Sequence, residues 1–566
     1  MLEREHELHL LAAAAEDAAA RSGSVALVYG EPGIGKSSLV EALREQLPGG
    51  ARLLVGYCDD LATKRTFGPF HDLVSSVGDQ LTRALQDGGD RDRVLPALRA
   101  ELDGAGHATV LAVEDVHWAD EATLDALRYL VRRIVGLPAV VLLTYRDDEL
   151  AGDHPLRQLL GLAAGIPRLH RLPLRSLSEH AVRQLSAGMP IDAGHVYSIT
   201  AGNPYFVAEV LESGDGDHVP PTIVDAVQSR LRRLDASAQQ ALAQLAVVPT
   251  GLEHWQVEAL VPGGVATLAA AEQRGLLTVS PERVAFRHEL TRRAIADALP
   301  GARRVELNRR VLAALVARDG ADLSQIMHHA AEAGDVDAIV RYGPEAAREA
   351  ARGGAHREAV AHYRQVVAQR GRFGPAERAE LLERYAVECY HVRHAEQALD
   401  AQRAAVALRR DLGGEPQLGA ALRWLSRMHW WNGDPTGAGH AADEAVEVLE
   451  RAGDTRLFAL ALSNRSQLHM LANRSADGIA IGQRAATLAR RVGDPDILTH
   501  ALTNVGLSQW SRGDPDAPAT MEEALRVALA AGATEHALRA YVGIASALLD
   551  NFQLAPGAGA ARPARR

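Results

Sequence analysis

Residues 30–38, "GEPGIGKSS", combine the residue types that proteins use to bind phosphate groups. The segment fits the pattern GxxxxGK[ST], in which glycines let backbone N–H groups converge on phosphate oxygens. In this pattern the ammonium of Lys36 reaches the β- and γ-phosphates, and the hydroxyl of Ser37 ligates Mg²⁺. The segment therefore predicts a nucleotide site whose contacting residues are Gly30, Gly33, Gly35, Lys36, Ser37 and Ser38.

The residues on either side of this segment have the patterns that a phosphate-binding loop requires. An apolar run, "SVALVYG" (24–30), predicts a buried strand before it, and "KSSLVEALREQL" (36–47) predicts an amphipathic helix after it. The N-terminus of that helix adds the positive end of a dipole at the phosphate position. A chance match in a glycine-rich turn is the alternative, and the strand–loop–helix context argues against it.

A pair of acidic residues ends another apolar run, "TVLAVED" (109–115). A buried strand of a parallel sheet delivers its last side chains to the carboxyl edge, where ligands bind. We expect one of Glu114 and Asp115 to hold Mg²⁺ and the other to orient the attacking water. The two adjacent carboxylates leave that assignment open, so both are candidate catalytic and metal-binding residues. Solvated acids at a strand end are the alternative.

Arg146 lies near the end of the next apolar run, "AVVLLTYRDD" (139–148). Arginine binds phosphate oxygens well, and Arg146 is therefore a candidate catalytic residue that senses the γ-phosphate. The alternative is an ion pair on the protein surface with Asp147 or Asp148.

The elements that must position these residues follow from the alternation of apolar strands with helices. Short apolar strands are predicted at 24–30, 51–58, 109–115, 139–148 and 169–174. Such strands alternating with helices indicate a parallel sheet covered on both faces. The fold class predicted for residues 1–177 is therefore an α/β P-loop nucleotide-binding domain.

Two smaller units are predicted after this domain. Ser178 is a candidate helix N-cap, and residues 178–235 predict a helical lid subdomain. Residues 236–300 contain three short helical segments followed by two short strands around a Ser-Pro turn, in "GLLTVSPERVAFRHEL". That order is typical of a winged-helix module.

From about residue 301 the pattern is helical and repeats at intervals of about 40 residues. Each unit is a helix, a tight turn and a helix, and a small residue recurs near the turn at Ala359, Ala398, Ala438, Ala480 and Ala519. Helix pairs at this spacing predict a solenoid similar to tetratricopeptide repeats over 301–552. An irregular helical domain is the alternative. Residues 553–566 are low in complexity, and we expect them to be disordered.

The composition is that of a globular protein without a large basic surface. The chain of 566 residues has 47% hydrophobic and 23% charged residues, and its net charge is −11. The negative balance argues against a large nucleic-acid footprint. Two cysteines are too few for a disulfide framework, and no apolar run approaches the roughly 18 residues that span a bilayer. Since the N-terminus has no signal-peptide pattern, we expect a cytoplasmic protein with no membrane partner.

Six motifs occur in order along residues 1–300: "LEREHEL", "GEPGIGKSSLV", "VEDVHWADEATLDALRYL", "VLLTYRDDEL", "AGNPYFVAEVL" and "VAFRHELTRRAI". In this order they resemble the signal-transduction ATPases with numerous domains. More narrowly, they resemble the large ATP-dependent LuxR-type transcriptional regulators of actinobacteria. The helical repeats that follow agree with this resemblance in kind but are less diagnostic.

The resemblance implies roles for two further residues. "GNP" (202–204) matches a G-x-P motif of the family, which implies that Pro204 packs near the adenine. "FRHEL" places His288 at the start of a helix, and the resemblance implies that it contacts the nucleotide phosphate and holds a closed, inactive form. From the residues alone, Gly-Asn-Pro can be a helix-initiating turn, and His288 can cap or pack at a helix start.

The sequence departs from the family after residue 301. The long family members carry a C-terminal helix-turn-helix that reads DNA, and no such segment stands beside basic residues here. We therefore expect no direct DNA binding by this chain. The output domain was lost, sits on a partner, or was removed by a premature stop. Helix 535–551 resembles the first half of a pair; it is a cap or a point of truncation, and we favour truncation.

Together these features predict an ATP-dependent regulatory switch with slow hydrolysis and with ATP/ADP and Mg²⁺ as cofactors. ADP would hold the nucleotide domain against the winged helix through His288. A protein or small-molecule inducer at the solenoid would loosen that contact and allow ATP exchange and self-association, because a ligand favours the form it binds better. The alternatives are a replication-initiator or remodelling ATPase that uses the winged helix on DNA, and a scaffold with a structural nucleotide.

Overall fold

The apolar runs of the first part of the chain form one parallel sheet. The computed structural model describes residues 1–61, 63–104, 106–189, 192–213, 231–249, 251–281 and 283–550. The sheet has five strands in the order β2–β3–β4–β1–β5, all paired in parallel. Their bounds are Ser24–Tyr29 (β1), Arg52–Tyr57 (β2), Thr109–Glu114 (β3), Ala139–Tyr145 (β4) and Leu169–Pro173 (β5). The five predicted strands and the α/β fold class are confirmed.

Burial on both faces explains why the inner strands are continuous apolar runs. Every residue of β3 and β4 is buried, as expected where helices cover both faces of a sheet. Alternate residues of β1 enter two separate apolar clusters: Val25 and Leu27 pack in one, Ala26 and Val28 in the other. The sheet therefore sits between two layers of helices.

Seven of the described helices accompany the sheet. They are Glu5–Ala19 (α1), Lys36–Gln46 (α2), Gly68–His71 (α3), Asp79–Gln86 (α4), Arg91–Gly104 (α5), Glu121–Val131 (α6) and Leu156–Ala163 (α7). Short 3₁₀ turns occupy Val74–Ser76, Val116–Trp118 and Ile134–Gly136. Asp120 caps α6 by accepting a hydrogen bond from the Thr123 N–H at 2.9 Å.

The predicted lid subdomain contains three short helices within the described residues. They are Glu179–Leu185 (α8), Ala193–Thr200 (α9) and Pro204–Ser213 (α10). Ser178 is confirmed as the N-cap of α8, since its hydroxyl accepts from the Ala181 N–H at 3.2 Å. The predicted closing segment, "VPPTIVDAVQSRLRRL", lies outside the described residues as far as residue 230.

Residues 236–300, which we call the hairpin module, combine helices with a small antiparallel sheet. The helices are Ala236–Ala246 (α11), His254–Leu260 (α12), Ala269–Gln273 (α13) and Glu289–Asp297 (α14), with a 3₁₀ turn at Gly264–Leu268. The strands are Leu252–Glu253 (β6), Leu277–Val279 (β7) and Arg283–Phe286 (β8), in the order β6–β8–β7. The predicted hairpin of β7 and β8 is confirmed, whereas β6 was missed. Its two residues are too few to show an alternating pattern. The winged-helix assignment stays a prediction.

The rest of the described chain is helical, and contacts divide the whole chain into two units, 1–366 and 367–566. Four of the described helices after residue 300 begin in the first unit: Gly301–Val316 (α15), Leu323–Ala333 (α16), Val336–Arg352 (α17) and His356–Ala368 (α18). The second unit contains a 3₁₀ turn at Arg370–Arg372 and the helices Pro375–His391 (α19), Ala395–Leu412 (α20), Glu415–Trp431 (α21), Pro435–Ala452 (α22), Thr455–Leu471 (α23), Ser475–Val492 (α24), Pro495–Ser511 (α25), Ala517–Ala530 (α26) and Thr534–Asp550 (α27). The predicted long region of tetratricopeptide-like helix pairs is confirmed.

In two repeats, the small residue that is buried between the paired helices is not the alanine that the sequence predicts. Ala359, Ala398 and Ala438 are buried, but Ala480 and Ala519 are exposed. In those two repeats the buried small residues are Gly478 and Ala517. A Cβ at Gly478 would lie 2.9 Å from the hydroxyl of Ser508, so the close approach of neighbouring helices requires a small residue there.

Three further expectations concern the C-terminal tail, the domain boundaries and membrane-spanning helices. The predicted disordered tail, 553–566, lies outside the described residues. The domain boundaries at 177, 235 and 300 stay predictions. Within the described ranges, none of the helices combines the length and the apolar character that crossing a bilayer requires.

Candidate nucleotide site

The loop between β1 and α2 is built on glycines with positive φ angles. Gly30, Gly33 and Gly35 have φ of +145°, +77° and +99°, a region that favours glycine because glycine has no Cβ. A Cβ at Gly30 would lie 2.9 Å from the carbonyl oxygen of Leu174. The three predicted glycines therefore meet a backbone requirement of this loop.

Lys36 is the first residue of α2, and its side chain folds back across the loop. Its exposed fraction is 7%. The ammonium Nζ donates to the carbonyl oxygens of Gly30 at 2.7 Å and Glu31 at 3.0 Å. Burial lowers the pKa of Lys36, and the nearby Asp115 carboxylate opposes this shift. The ammonium therefore lies inside the loop that the sequence assigns to phosphate binding.

Glu114, at the end of β3, offers a buried oxygen next to the first turn of α2. Its exposed fraction is 3%, and its Oε2 has no hydrogen-bond partner among the described residues. Burial raises the pKa of Glu114 to about 7, and the Ser37 hydroxyl opposes the shift by hydrogen bonding. Ser37 and Ser38 are themselves exposed. A buried carboxylate oxygen of this kind suits a bound cation or an ordered water.

Asp115 adopts a left-handed backbone conformation, with φ of +51°. Its N–H donates to the hydroxyl of Thr144 on β4 at 2.9 Å. Aspartate tolerates this conformation better than most residues, and such positions cluster at functional sites. Burial raises the pKa of Asp115, and the charges of Arg146 and Lys36 oppose the shift. The structure thus places Asp115 within electrostatic reach of both basic residues.

Arg146 is buried, and its ion-pair partner is one that the sequence analysis did not consider. Its exposed fraction is 4%, and its guanidinium donates to Oε1 of Glu149 at 2.7 Å. The guanidinium also lies 4.7 Å above the ring centroid of Trp118, in cation–π contact. The alternative of a surface ion pair with Asp147 or Asp148 is therefore wrong, because both the burial and the partner differ. Phosphate sensing by Arg146 stays a prediction.

His117 is a site residue that the sequence analysis missed. It is 2% exposed, and its Nε2 lies 3.4 Å from Oε2 of Glu149. Its Nδ1 lies 3.9 Å from Oδ1 of Asp115. Burial, and then the charge of Arg146, lower the pKa of His117 to about 2, so the ring is neutral near pH 7. The only sequence signal was its place two residues after Asp115, on a 3₁₀ turn too short to show periodicity.

The turn that begins α10 packs directly on the phosphate-binding loop. Pro204 is the first residue of the helix, a common position for proline. The Asn203 side-chain amide donates to the carbonyl of Pro32 at 3.1 Å, and the Tyr205 N–H donates to the carbonyl of Gly33 at 3.2 Å. A Cβ at Gly33 would lie 2.7 Å from the Cβ of Tyr205. The structure thus brings the Pro204 turn to the loop, while the contact of Pro204 with an adenine stays a prediction.

Tyr205 extends this contact to the hairpin module. Its side chain is 1% exposed, and its hydroxyl shares a hydrogen bond of 2.8 Å with the hydroxyl of Thr291 on α14. The ring of His288 meets the Tyr205 ring edge-on, with centroids 4.5 Å apart. His288 is the N-cap residue of α14, but its side chain makes no capping hydrogen bond. The predicted His288 therefore reaches the loop through Tyr205, a residue that the sequence analysis missed.

Two arginines of the hairpin module contact the carboxyl edge of the parallel sheet. Arg293 on α14 forms an ion pair with Asp60, which follows β2. Arg283 on β8 lies 3.8 Å above the ring centroid of Tyr57. Its charge also acts to lower the pKa of Glu114. Basic residues of the hairpin module therefore face the acidic end of the site.

Arg4, in the motif "LEREHEL", supports the loop from the N-terminal segment. Its guanidinium donates to the carbonyl oxygens of Ile34 at 3.3 Å and Arg175 at 2.5 Å. The residue is 4% exposed, and burial lowers its pKa. Arg4 therefore ties the loop to the segment that leaves β5, a role that the sequence analysis did not assign.

These residues fit a nucleotide with a divalent cation. The glycine loop and the buried ammonium of Lys36 suit phosphate groups. Hard cations prefer hydroxyl and carboxylate oxygens, and Ser37, Glu114 and Asp115 supply these side by side. The partnerless Oε2 of Glu114 is the observation that most requires a further ligand.

Comparison with known protein sequences shows which family the N-terminal part of the chain is similar to. Residues 1–142 match the sequence model of the AAA ATPase domain family. An uncharacterized protein of Rhizobium meliloti (strain 1021) is 27% identical over 411 residues, which are 60% of this chain and 40% of that protein. The chain thus spans less than half the length of this curated relative.

Two solved structures superpose on this chain at low sequence identity. A Signal Transduction ATPase with Numerous Domains (STAND) protein with a tetratricopeptide repeat sensor, from Pyrococcus horikoshii, is 14% identical; the superposition covers 97% of this chain and 86% of that one, with a TM-score of 0.46. The Walker-type ATPase of Pyrococcus abyssi is 12% identical, with a TM-score of 0.29, and covers 52% of this chain and 96% of that one. Residues 1–142, which contain the phosphate-binding loop, are similar in sequence to AAA ATPase domains by the family match alone.

Proposed function

We propose that this chain is a nucleotide-dependent signal-transduction switch, in which ATP or ADP with Mg²⁺ binds at residues 30–38. The observation that carries the proposal is the path of contacts from Gly33 through Tyr205 to His288 and Thr291. One buried side chain thereby joins the phosphate-binding loop to a helix of the hairpin module. The match of residues 1–142 to the AAA ATPase domain supports the nucleotide class.

Each site residue has a part in this proposal. When bound, the nucleotide and Mg²⁺ supply the phosphate charge and the bond that is hydrolysed. Lys36 would exchange its two loop carbonyls for phosphate oxygens. Ser37 and one of Glu114 and Asp115 would hold the cation, and the other carboxylate would orient a water. Arg146 would exchange its partner Glu149 for a phosphate oxygen, and Gly30, Gly33, Gly35 and Ser38 would line the loop.

The hairpin module is the part that the nucleotide state controls. In the closed form, Tyr205 packs on Gly33 and α14 packs on Tyr205, with His288 at the helix end that faces the loop. The ion pair of Arg293 with Asp60 adds to the same form. A ligand that binds an open form better than this closed form shifts the equilibrium toward opening.

The proposal also covers what the switch regulates and which part of the chain receives the signal. The order of the six motifs supports a LuxR-type transcriptional regulator, with self-association in the ATP-bound form. The helical repeats receive a protein or small-molecule inducer, since stacked helix pairs present extended binding surfaces. Slow hydrolysis then returns the switch to the ADP-bound form.

The test is the identity of the nucleotide that co-purifies with the full chain. The protein is purified without added nucleotide and denatured, and the released nucleotide is separated by ion-exchange chromatography. We expect close to one ADP per chain and a turnover far below about 1 s⁻¹, the low end for typical enzymes. Protein that emerges empty and hydrolyses ATP quickly with DNA stimulation contradicts the switch and favours the remodelling ATPase.

A further inference from the structure

A cavity in the second unit is lined by arginines from alternate helices. Its volume is about 130 Å³, well above the roughly 10–15 Å³ that a cavity needs to hold one water. Arg423 and Arg427 reach it from α21 and Arg456 from α23, while His500 on α25 and His536 on α27 complete the polar wall. The first helices of three successive pairs and the helix α27 that follows them therefore contribute to one site.

The positive charge in this cavity is poorly compensated. Among the described residues, no carboxylate lies within ion-pair distance of Arg423 or Arg427, whereas Arg456 pairs with Asp494 at 2.8 Å. Burial, and then the charges of Arg427 and Arg456, lower the pKa of Arg423 to about 9. Asp496 is the acidic residue in the lining. Within a chain of net charge −11, this cluster of like charges needs a specific explanation.

Two guanidinium nitrogens, one in the cavity lining and one on the neighbouring Arg539, lack the acceptors that buried donors require. Nε of Arg427 and a terminal nitrogen of Arg539 on α27 are buried and have no hydrogen-bond partner within the part of the chain that the structure describes. The other terminal nitrogen of Arg539 donates to Oδ1 of Asn504 at 2.6 Å. A buried charged donor without an acceptor is costly, and an anionic ligand removes that cost.

The surrounding side chains hold the arginines in place. The guanidinium of Arg427 donates to the Tyr390 hydroxyl at 3.3 Å and lies 5.4 Å from the ring centroid of Trp424. The guanidinium of Arg423 lies 4.8 Å from the same ring. Such cation–π contacts orient arginines without neutralising them. The arginines are therefore positioned in advance for a ligand.

We propose that this cavity binds the oxyanion group of a small organic anion, either a carboxylate or a phosphate. Arginine forks match both groups with paired, charge-assisted hydrogen bonds. The volume suits one such small anion rather than a helix or an extended peptide. The role of this anion as the inducer rests on the switch proposed above; its binding rests on the cavity alone.

The test measures anion binding to the full chain with Lys36→Ala, which removes the phosphate-binding loop as a competing site. Pyrophosphate and citrate are titrated by isothermal calorimetry, at an ionic strength held constant with sodium chloride. We expect saturable binding with one anion per chain for at least one probe, and the preferred probe separates the phosphate class from the carboxylate class. Arg423→Gln and Arg427→Gln should each weaken this binding about tenfold or more.

A matched control and a stability measurement separate ligand binding from structural damage. Arg484→Gln removes one positive charge from an exposed ion pair with Glu450 in the same unit, and it should leave the affinity unchanged. Without anion, Arg423→Gln should raise the melting temperature, because it relieves repulsion within the cluster. In the Lys36→Ala background, the preferred probe should raise the melting temperature of the chain with Arg423 intact. It should not raise the melting temperature when Arg423→Gln is added.

Two results would overturn the proposal. One is the absence of any heat or thermal stabilisation beyond that of chloride at equal ionic strength. The other is equal binding to the parent protein and to both cavity variants. ADP binding to the chain with Lys36 intact is measured in parallel. A failure of the nucleotide site is therefore distinguished from a failure of the arginine cavity.

Discussion

At the scale of single residues, the Tyr205 hydroxyl is the atom whose removal tests the closed contact most directly. Tyr205→Phe keeps the ring on Gly33 and His288 but leaves the buried Thr291 hydroxyl without its 2.8 Å partner. Such a loss costs about 1–3 kcal/mol. We therefore expect ADP release from the full chain to become at least fivefold faster, measured by stopped-flow displacement of a fluorescent ADP analogue.

The control for this variant is a tyrosine of the same domain outside the contact. Tyr129→Phe, on α6, removes a hydroxyl from a ring that contacts Arg133 and should not change ADP release. Combining Tyr205→Phe with Thr291→Val should add little, because both variants remove the same hydrogen bond. Unchanged release in Tyr205→Phe would remove this side chain from the proposed switch.

The residues that the sequence analysis missed share one physical property. Tyr205 donates its N–H to the carbonyl of Gly33 and shares a hydrogen bond with the hydroxyl of Thr291, partners about 170 and 86 positions away. Motif chemistry identified Lys36 and Glu114 because their role depends on residue type in a local pattern. The role of Tyr205 depends on which distant segments the fold brings together, and a local pattern carries no such information.

At the scale of elements, helix α18 packs against the start of α6 with an acidic residue inside the contact. Glu358 is 9% exposed, and one of its carboxylate oxygens has no hydrogen-bond partner among the described residues. Burial, and then the charge of Asp120, raise the pKa of Glu358 to about 7. The folded state therefore favours the protonated form of Glu358 more than the unfolded chain does.

This raised pKa gives the protein a defined dependence on pH. Between about pH 4.5 and 7 the folded state binds more protons at Glu358 than the unfolded state, so the free energy of unfolding falls as pH rises. Over this pH range, titration of Glu358 lowers the free energy of unfolding by about 3 kcal/mol. Glu358→Gln should remove this loss and raise stability at pH 8, as measured by denaturant unfolding at several pH values.

The control for this prediction is Glu306→Gln on α15. Glu306 is 56% exposed at its side chain and pairs with Arg303, so its change should shift stability little and equally at all pH values. If the stability gain of Glu358→Gln is the same at pH 5 and pH 8, titration of Glu358 is not its cause.

The elements differ in how well the sequence predicts them, and burial explains the difference. The five strands of the parallel sheet were predicted to within three residues, and burial on both faces makes the inner strands β3 and β4 uninterrupted apolar runs. The repeats were predicted in kind, but the packed small residue was misplaced at Ala480 and Ala519. Alanine is abundant on exposed and buried faces alike here, so its spacing does not distinguish Gly478 or Ala517 as the buried positions.

At the scale of the whole molecule, the two units allow a test that separates nucleotide binding from folding. Lys36→Ala removes the ammonium from the loop of the first unit. We expect binding of ADP and ATP to fall below detection, because the phosphate charge loses its partner. Amide hydrogen exchange in residues 367–550 should keep the protection of the parent protein, as measured by mass spectrometry.

Two outcomes would contradict this expectation. Retained nucleotide binding would argue against the assignment of residues 30–38 as the phosphate-binding loop. Loss of protection throughout residues 367–550 would mean that the variant acts on folding rather than on a ligand. Lys64→Ala is the matched control, because Lys64 is the other lysine of the chain and donates to the carbonyl of Ala119 instead.

The arginine cavity also bears on how the repeats can change over evolution. Its wall takes side chains from the first helices of three consecutive pairs and from α27, at intervals of about 40 residues. Repeat arrays ordinarily gain and lose whole repeats with little harm, since each repeat contacts only its neighbours. Here the removal of any one of these pairs would dismantle the wall while leaving a foldable array. The number of repeats in this stretch is therefore tied to the anion site, and natural length variants that lack one of these pairs should lose anion binding while keeping the repeat fold.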